Sequence, residues 1–256
     1  MLPLLLALQA VSAGPAVAVS GPREVRVAAA ADLQFALDAV FEAASASTPG
    51  LRAVVTYGSS GSFYAQIENG APFDLFLSAD ADYPRRLAAR GLADGDLFLY
   101  AVGRLALWVP SASRLDVRAL GVRALLDPSV RKVAIANPRH APYGRAAVSA
   151  MKGLGVYGSV SGKLVLGENV AQAAQFVQGG AADAGIVALS LALSSRMRDA
   201  GRFVEIPLWS FPRMDQGGVV LRGARDLAAA RALRDALLGP RGREILEKHG
   251  FHRPSP

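Results

Sequence analysis

Short apolar runs alternate along the first part of the chain with segments whose apolar residues recur at helical spacing. Residues 25–31 form an apolar run that predicts a buried strand, and residues 33–41 then place their apolar side chains on one face of a helix. Strand 53–57, helix 63–69 and strand 74–79 continue the same order. This alternation is typical of βα units and predicts a sheet whose strands are mostly parallel.

The second part of the chain repeats this alternation. The segment AQIENGAPFD (65–74) has an ungapped echo in AQFVQGGAAD (174–183), and both are predicted to run from a helix end through a glycine turn to a strand. We therefore predict an α/β fold of two similar lobes, each a mostly parallel sheet flanked by helices. Patterning predicts further strands at 103–110, 132–138, 183–189 and 217–223, helices at 122–127, 143–155 and 226–251, and a strand, loop and helix within 163–180.

The first 22 residues carry no charged side chain, unlike the rest of the chain. They resemble a secretory signal peptide, which we assign to residues 1–18, with cleavage after Ala13 or Ala18. A membrane anchor is the alternative, but Pro3 and Gln9 interrupt an apolar run that needs about 20 residues to span a bilayer. We expect an exported protein.

The chain has no cysteine, which excludes a disulfide, a thiol nucleophile, a zinc–thiolate site and a lipidated N-terminal cysteine. An exported protein without that lipid fits the periplasm of a Gram-negative cell. The net charge of +7 makes nucleic acid a candidate partner, but no run of five basic residues occurs. We interpret the scattered arginines as solvated surface charge and expect no nucleic-acid partner.

Four predicted strand-to-helix junctions, at residues 30–32, 58–61, 137–144 and 167–170, carry small or polar residues. In open α/β sheets, ligands bind beyond the carboxyl ends of the strands. A helix start leaves about four backbone N–H groups without partners and adds roughly half a positive charge. Each junction alone is typical of ordinary helix capping. The four together, two in each half of the chain, predict a site for a compact anion.

An exported hydrolase is the alternative from a different functional class. It would use Ser60 as the nucleophile and His140 as the base, because His140 is the only histidine outside the C-terminal tail. The turn around Ser60 lacks the G-x-S-x-G spacing of a nucleophile elbow. No nucleotide-binding glycine motif follows a strand, and the acidic residues show no metal-ligand spacing. These features favour binding over catalysis.

Four segments together resemble the periplasmic molybdate-binding proteins of ABC importers. The resemblance extends from about Glu24 to Phe251 and implies a type II periplasmic-binding-protein fold, with strands crossing between the lobes near 103–109 and 217–221. The first lobe would comprise residues 24–104 and 219–256, and the second residues 105–218. The segments are SSGSFYAQIENGAPFDLFLSAD (59–80), ANPRHAPYG (136–144), ENVAQAAQFV (168–177) and GREILEKHGF (242–251).

The resemblance also implies a ligand and the residues that hold it. Molybdate or tungstate would lie between the lobes as a tetrahedral dianion, with no cofactor and no bare metal ion. Ser60 would donate its hydroxyl and its backbone N–H, and Tyr143 and Val170 would donate backbone N–H groups. Ala31 and Asp32 would form the first junction. We expect a monomer that passes this small oxyanion to the permease of an ABC importer.

Two residues depart from the family pattern. Family members usually have a serine, threonine or asparagine donor where this chain has Asp32, and some have a tyrosine where this chain has Ala188. A carboxylate repels a dianion unless it is protonated or turned away, for example as the cap of its own helix. Tyr143 would supply the missing tyrosine hydroxyl. One alternative stays open, in which the same fold binds a different small ligand that Asp32 recognises.

Overall fold

The computed structural model describes residues 23–254, so the predicted signal at residues 1–18 lies outside the described part of the chain. Within 23–254, ten strands form two five-stranded sheets, one in each lobe. The strands are β1 Arg23–Ala30, β2 Leu51–Gly58, β3 Leu75–Ser78, β4 Phe98–Gly103, β5 Leu105–Pro110, β6 Val133–Ala136, β7 Leu164–Gly167, β8 Ala184–Ala188, β9 Gly201–Glu205 and β10 Met214–Val220.

Helices flank both sheets, and a short 3₁₀ turn, Ala31–Leu33, joins β1 to the first of them. None of the helices within residues 23–254 combines the length and apolarity that a membrane crossing requires. The α-helices are α1 Gln34–Ser47, α2 Ser60–Glu68, α3 Asp82–Ala89, α4 Val117–Leu120, α5 Pro142–Gly153, α6 Tyr157–Val160, α7 Val170–Gln178, α8 Leu189–Ala192, α9 Ser195–Ala200, α10 Leu227–Leu238 and α11 Pro240–Lys248.

The two sheets share one strand pattern. Their orders are β2-β1-β3-β10-β4 and β7-β6-β8-β5-β9. In each sheet the first three strands are parallel, the fourth is antiparallel to both of its neighbours, and the last therefore runs with the first three. Four strands of five share a direction in each sheet, which confirms the predicted fold class. The ten-residue echo covers equivalent segments, from α2 to β3 and from α7 to β8.

The chain passes between the two sheets twice. It leaves the first sheet at the end of β4 and enters the second at β5, with Arg104 alone between the two strands. It returns between β9 and β10. The return therefore precedes the crossing predicted near 217–221, because β10 already pairs with β3 and β4 inside the first sheet. The division into lobes after residues 104 and 218 stays a prediction.

Apolar strands place each sheet between layers of helices. The four residues of β3 and the first five of β5 are buried, so these strands form continuous apolar runs in the sequence. Trp108 in β5 is fully buried, and its Nε1 donates to the carbonyl oxygen of Met197 at 3.0 Å. In the first lobe, the apolar face of α1 packs against α10 and α11. Each lobe thus has its own hydrophobic core.

Some elements have too little apolar pattern to be predicted. The edge strand β9 has no buried residue, and α3 buries only Pro84 and Leu87. The predicted helix 122–127 is a 3₁₀ segment, Gly121–Leu126. The predicted helical segment 226–251 contains two helices, because Pro240 starts α11 immediately after α10 ends. None of these differences changes how the strand ends are arranged around the cleft.

Candidate anion site

The four predicted junctions meet in one small cavity between the lobes. Its volume is about 10 Å³, roughly the space of one water-sized sphere. All five residues predicted for the site line it, and no Lys, Arg or His from the described part of the chain does. That these residues hold a ligand stays a prediction. The lining residues are Ala30, Ala31 and Asp32; Gly58, Ser59 and Ser60; Ala79; Ala141, Pro142 and Tyr143; and Asn169 and Val170.

Ser60 is the first residue of α2, directly after β2, and it is buried. Its Oγ accepts a hydrogen bond from the backbone N–H of Ala79 at 3.0 Å, so its hydroxyl proton remains available to a ligand. No side chain caps this helix start. The backbone N–H of Ser60 also lacks an intrahelical acceptor, as every first-turn N–H does. Ser60 therefore has two donor groups for an anion.

The second lobe contributes two helix starts. Pro142 is the first residue of α5, where its missing N–H removes no hydrogen bond, and no side chain caps this helix. Val170 is the first residue of α7, whose cap Asn169 accepts from the N–H of Gln172 at 3.0 Å. The N–H groups of Tyr143 and Val170 are left without intrahelical acceptors. Two backbone donors therefore lie across the cavity from α2.

Asp32 does not cap its helix, contrary to the interpretation of the first junction as ordinary capping. It lies inside the 3₁₀ turn before α1, and its Oδ2 accepts from the hydroxyl of Tyr143 at 2.9 Å and from Nε2 of Gln216 at 2.6 Å. The hydroxyl of Ser190, from the second lobe, donates to its backbone carbonyl oxygen at 2.8 Å. We call Asp32, Tyr143 and Gln216 the cleft floor. The hydroxyl of Tyr143 is thus committed to Asp32.

The cleft floor has more hydrogen-bond acceptors than donors. Oδ1 of Asp32 and Oε1 of Gln216 are buried without a hydrogen-bond partner. Burial raises the pKa of Asp32 to about 6, although the hydrogen bonds from Gln216 and Tyr143 oppose this shift. Burial and the nearby Asp32 charge raise the pKa of Tyr143 well above its ordinary value, so its hydroxyl keeps its proton and donates. The carboxyl group is therefore the floor group that titrates nearest neutrality.

The lobes also touch beside the cavity. The hydroxyl of Ser59 donates to the carbonyl oxygen of His140 at 2.8 Å, and the N–H of Gly61 donates to the same oxygen at 3.0 Å. Arg145 in α5 donates to Asp80, which follows β3, at 2.5 Å. We call these five residues the cleft rim. Because both floor and rim join the two lobes, the cleft is closed.

Ser60 and His140, the pair that a hydrolase would require, are not hydrogen-bonded to each other. His140 Nδ1 instead lies 2.9 Å from Oγ of Ser59, whose proton is directed at a backbone carbonyl oxygen. A serine held in this way is not activated by the imidazole as a nucleophile. Among residues 23–254, no group of three or more His, Cys, Asp or Glu side chains could hold a metal ion.

Two polar residues beside the cavity, Gln216 and Ser190, were not predicted. Gln216 is fully buried in β10, but Asp215 precedes it and two glycines follow it, so no local apolar pattern indicated its burial. Ser190 lies at a fifth strand-to-helix junction, between β8 and α8. Ser59 lies in the predicted second junction and lines the cavity, but its hydroxyl donates to the opposite lobe.

Residues 25–252 match the protein family described as bacterial extracellular solute-binding protein. The molybdate-binding protein ModA of Rhodobacter capsulatus is 40% identical over 200 residues, which cover 77% of each chain. ModA of Azotobacter vinelandii is 35% identical over 243 residues, covering 94% of this chain and 95% of that protein.

Solved structures show the same architecture. The Azotobacter vinelandii periplasmic molybdate-binding protein has a TM-score of 0.84 at 30% identity, and the match covers 90% of this chain and 100% of that chain. The sulfate-binding protein SubI from Mycobacterium tuberculosis has a TM-score of 0.72 at 17% identity, and the match covers 91% of this chain and 88% of that chain. This likeness shows a shared fold only.

Proposed function

The chain belongs to the family of bacterial extracellular solute-binding proteins, and from that premise we propose that it binds molybdate between its lobes and delivers it to an ABC importer. The observation that carries this proposal is the meeting of helix starts from both lobes in a compact cavity without a cationic side chain. Two relatives named molybdate-binding protein, at 40% and 35% identity, support the choice of anion. Because the family binds solutes, the hydrolase interpretation is wrong.

The anion would be held through its oxygens by neutral donors. Ser60 would donate its hydroxyl and its N–H from the first lobe, and Tyr143 and Val170 would donate N–H groups from the second. Hydrogen bonds to a charged acceptor are about twice as strong as neutral ones, and closure strengthens them further by excluding water. Helix dipoles aimed at the cavity add positive potential without a bulky cation. Closure would therefore bring together donors from both lobes, and neither lobe has the complete set alone.

Cavity size would decide which oxyanions bind. Molybdate and tungstate are nearly the same size, so we propose that both bind. Sulfate is smaller, and donors fixed by two closed lobes would lie too far from some of its oxygens. Closure would occur by a hinge at the two crossings, where few residues connect the sheets.

We also propose where the protein acts and with which partner. The closed, loaded form would dock on the permease of the importer in the inner membrane of a Gram-negative cell. The protein would act in the periplasm as a monomer, since each chain holds both halves of the cavity. No cofactor is proposed, because neutral donors suffice for an oxyanion.

Isothermal titration of the purified protein with sodium molybdate, sodium tungstate and sodium sulfate at pH 7.5 tests this function. We expect tight one-to-one binding of the first two anions and no heat from sulfate. Ser60→Ala should weaken molybdate binding by about ten- to a hundredfold, because a hydrogen bond to a charged group contributes about 1.5–3 kcal/mol.

Ser62→Ala is the matched control, since Ser62 lies in the same turn of α2 but does not line the cavity. It should bind molybdate as the unchanged protein does. Absence of heat with all three anions would reject the molybdate proposal and favour the alternative of another small ligand recognised through Asp32. Equal losses in both serine variants would reject the assignment of Ser60.

A further inference from the structure

The cleft floor lies at the point where the chain crosses between the lobes. A Cβ atom at Gly103, the last residue of β4, would come within 2.7 Å of both the Tyr143 hydroxyl oxygen and Gln216 Nε2. Asp32 follows β1 in the first lobe, Gln216 lies in β10, and Tyr143 reaches them from α5 of the second lobe. The floor therefore assembles only when the lobes close.

Two buried acceptors of this assembled cluster, Asp32 Oδ1 and Gln216 Oε1, lack a hydrogen-bond donor. Tyr143 has one donor, which Oδ2 of Asp32 accepts, and Gln216 Nε2 donates to the same Oδ2 and to the Tyr143 oxygen at 3.1 Å. Oδ1 of Asp32, which is 1% exposed, accepts nothing. A buried acceptor without a donor costs about 1–3 kcal/mol, and more when it is charged. A proton on the carboxyl group would turn one orphaned acceptor into a donor.

Within residues 23–254, no cation offsets the charge of Asp32 if it stays ionised. The side chains that face it are Tyr100 from β4, Tyr143 from α5 and Gln216 from β10, while Ser190 from α8 bonds its backbone oxygen. Burial raises the pKa of both tyrosines well above the ordinary value, so both stay neutral. Asp32 also lines the cavity proposed for the dianion. An ionised Asp32 would therefore add a third negative charge to a dry, uncompensated site.

We propose that the carboxyl group of Asp32 binds one proton as the lobes close around the anion, so that it faces the anion as a neutral acid. This inference rests on the proposed function. Asp32 then occupies the place of a neutral donor, and anion capture is coupled to proton uptake. Opening the lobes would separate Tyr143 and Ser190 from Asp32, admit water to the carboxyl group and release the proton with the anion.

The affinity for the anion depends on pH because the pKa of Asp32 differs between the open and the closed protein. In the open protein a hydrated aspartate has a pKa of about 3.9, and burial raises the pKa of Asp32 to about 6 in the closed form. A neighbouring dianion raises it further, because like charges favour the protonated acid. Affinity for the anion is therefore highest at low pH, falls as the pH rises through the closed-state pKa, and levels off above it.

The test is titration of sodium molybdate into the full protein and into Asp32→Asn, from pH 5.5 to pH 8, in buffers of different ionisation heat. We expect the affinity of the unchanged protein to fall by about fourfold or more over this range, with about 0.5–1 proton taken up per anion at pH 6. Asp32→Asn, which is always neutral, should take up no proton, show no such fall, and bind molybdate more tightly than the unchanged protein at pH 8.

Asp38→Asn is the matched control, because Asp38 is an exposed carboxylate in the second turn of α1, outside the cavity. It should keep the proton uptake and pH dependence of the unchanged protein. Binding of molybdate without proton uptake, or weaker binding by Asp32→Asn at pH 8, would overturn the inference while leaving the proposed function intact. Absence of molybdate binding at every pH would overturn the proposed function and this inference with it.

Discussion

The cleft floor and the cleft rim both join the two lobes, but they are built from different chemistry. The floor brings three nearly unexposed side chains together around one carboxyl group, and two of its buried oxygens lack donors. At the rim, the carbonyl oxygen of His140 receives two hydrogen bonds from the start of α2. The ion pair between Arg145 and Asp80 is partly exposed, at 40% and 29% of the two side chains.

This difference assigns different roles to the two contacts. A dry, uncompensated carboxyl group makes the stability of the floor depend on protons and on the charge of the ligand. A backbone carbonyl oxygen does not titrate, so the rim depends on how closely the two backbones approach. Its exposed ion pair contributes at most about 1 kcal/mol because water and salt screen it. We therefore expect steric changes to dominate at the rim and electrostatic changes at the floor.

The largest expected effect comes from Gly61→Ala at the rim. A Cβ at Gly61 would lie 2.4 Å from the carbonyl oxygen of His140 and 2.7 Å from the hydroxyl oxygen of Tyr83, and the first of these is backbone. Overpacking of this kind costs about 1–3 kcal/mol. Opening the lobes relieves the contact with His140, and the Tyr83 hydroxyl, at the end of a side chain in the same lobe, can move aside. Molybdate affinity should fall by about ten- to a hundredfold with an unchanged midpoint of thermal unfolding.

Titration calorimetry measures the affinity, and small-angle scattering measures whether the radius of gyration still decreases when molybdate is added. Gly158→Ala in α6 is the control, since a Cβ there meets nothing within 4 Å. If Gly61→Ala closes and binds as the unchanged protein does, the close approach of backbones at the rim does not limit closure.

An effect that is comparable at pH 8 but shrinks at lower pH is expected from Tyr143→Phe at the floor. This change removes the hydroxyl donor to Asp32 but keeps the backbone N–H proposed for the anion. A hydrogen bond to a charged group contributes about 1.5–3 kcal/mol, so molybdate affinity at pH 8 should fall by about tenfold or more. The pKa of Asp32 should rise further, because that hydrogen bond lowers it. The loss should therefore shrink as the pH falls towards 5.5.

Calorimetric titrations between pH 5.5 and pH 8 check this dependence. Tyr157→Phe is the control, because Tyr157 faces Lys152 on the second lobe and does not line the cavity. A loss of affinity that is the same at every pH would show that the hydroxyl of Tyr143 only positions α5 and does not act through Asp32.

Local patterns in the sequence predicted the strand ends but not the contacts that join the lobes. The junctions that contain Ser60, Tyr143 and Val170 could be predicted because ligands bind beyond the carboxyl ends of parallel strands, whereas the choice of these three residues came from the family resemblance. Asp32 was also found, but its carboxyl group bonds residues 111 and 184 positions away. Helix capping involves only the next few residues along the chain, so the expectation that Asp32 caps its own helix was wrong.

At the rim, too, local sequence patterns did not predict a contact between the lobes. Small residues around Gly61 were attributed to the needs of the anion, whereas this glycine also makes room for the carbonyl oxygen of His140. Patterning missed the edge strand β9 because it buries no residue, although its pairing with β5 completes the second sheet. The junction pattern and the family resemblance therefore indicated which residues surround the cavity, and the packing of two lobes determines what else they contact.

The smallest expected effect comes from Arg145→Gln at the rim. Its guanidinium donates to Asp80 and, at 3.1 Å, to the hydroxyl of Tyr83 across the cleft, but the pair is partly exposed. Loss of an exposed ion pair costs about 0.2–1 kcal/mol, so molybdate affinity should fall less than about fivefold. The difference should shrink as sodium chloride is raised from 50 mM to 500 mM, because salt screens exposed charges.

Arg85→Gln is the control for the lost positive charge, because Arg85 pairs with Asp82 within α3 and does not bridge the lobes. If Arg145→Gln and Arg85→Gln lose the same small factor, the effect is one of net charge and the ion pair adds nothing to closure. A loss of more than tenfold in Arg145→Gln alone that shrinks as salt is raised would contradict the distinction between floor and rim. Electrostatics would then matter as much at the exposed rim as around the buried carboxyl group of Asp32.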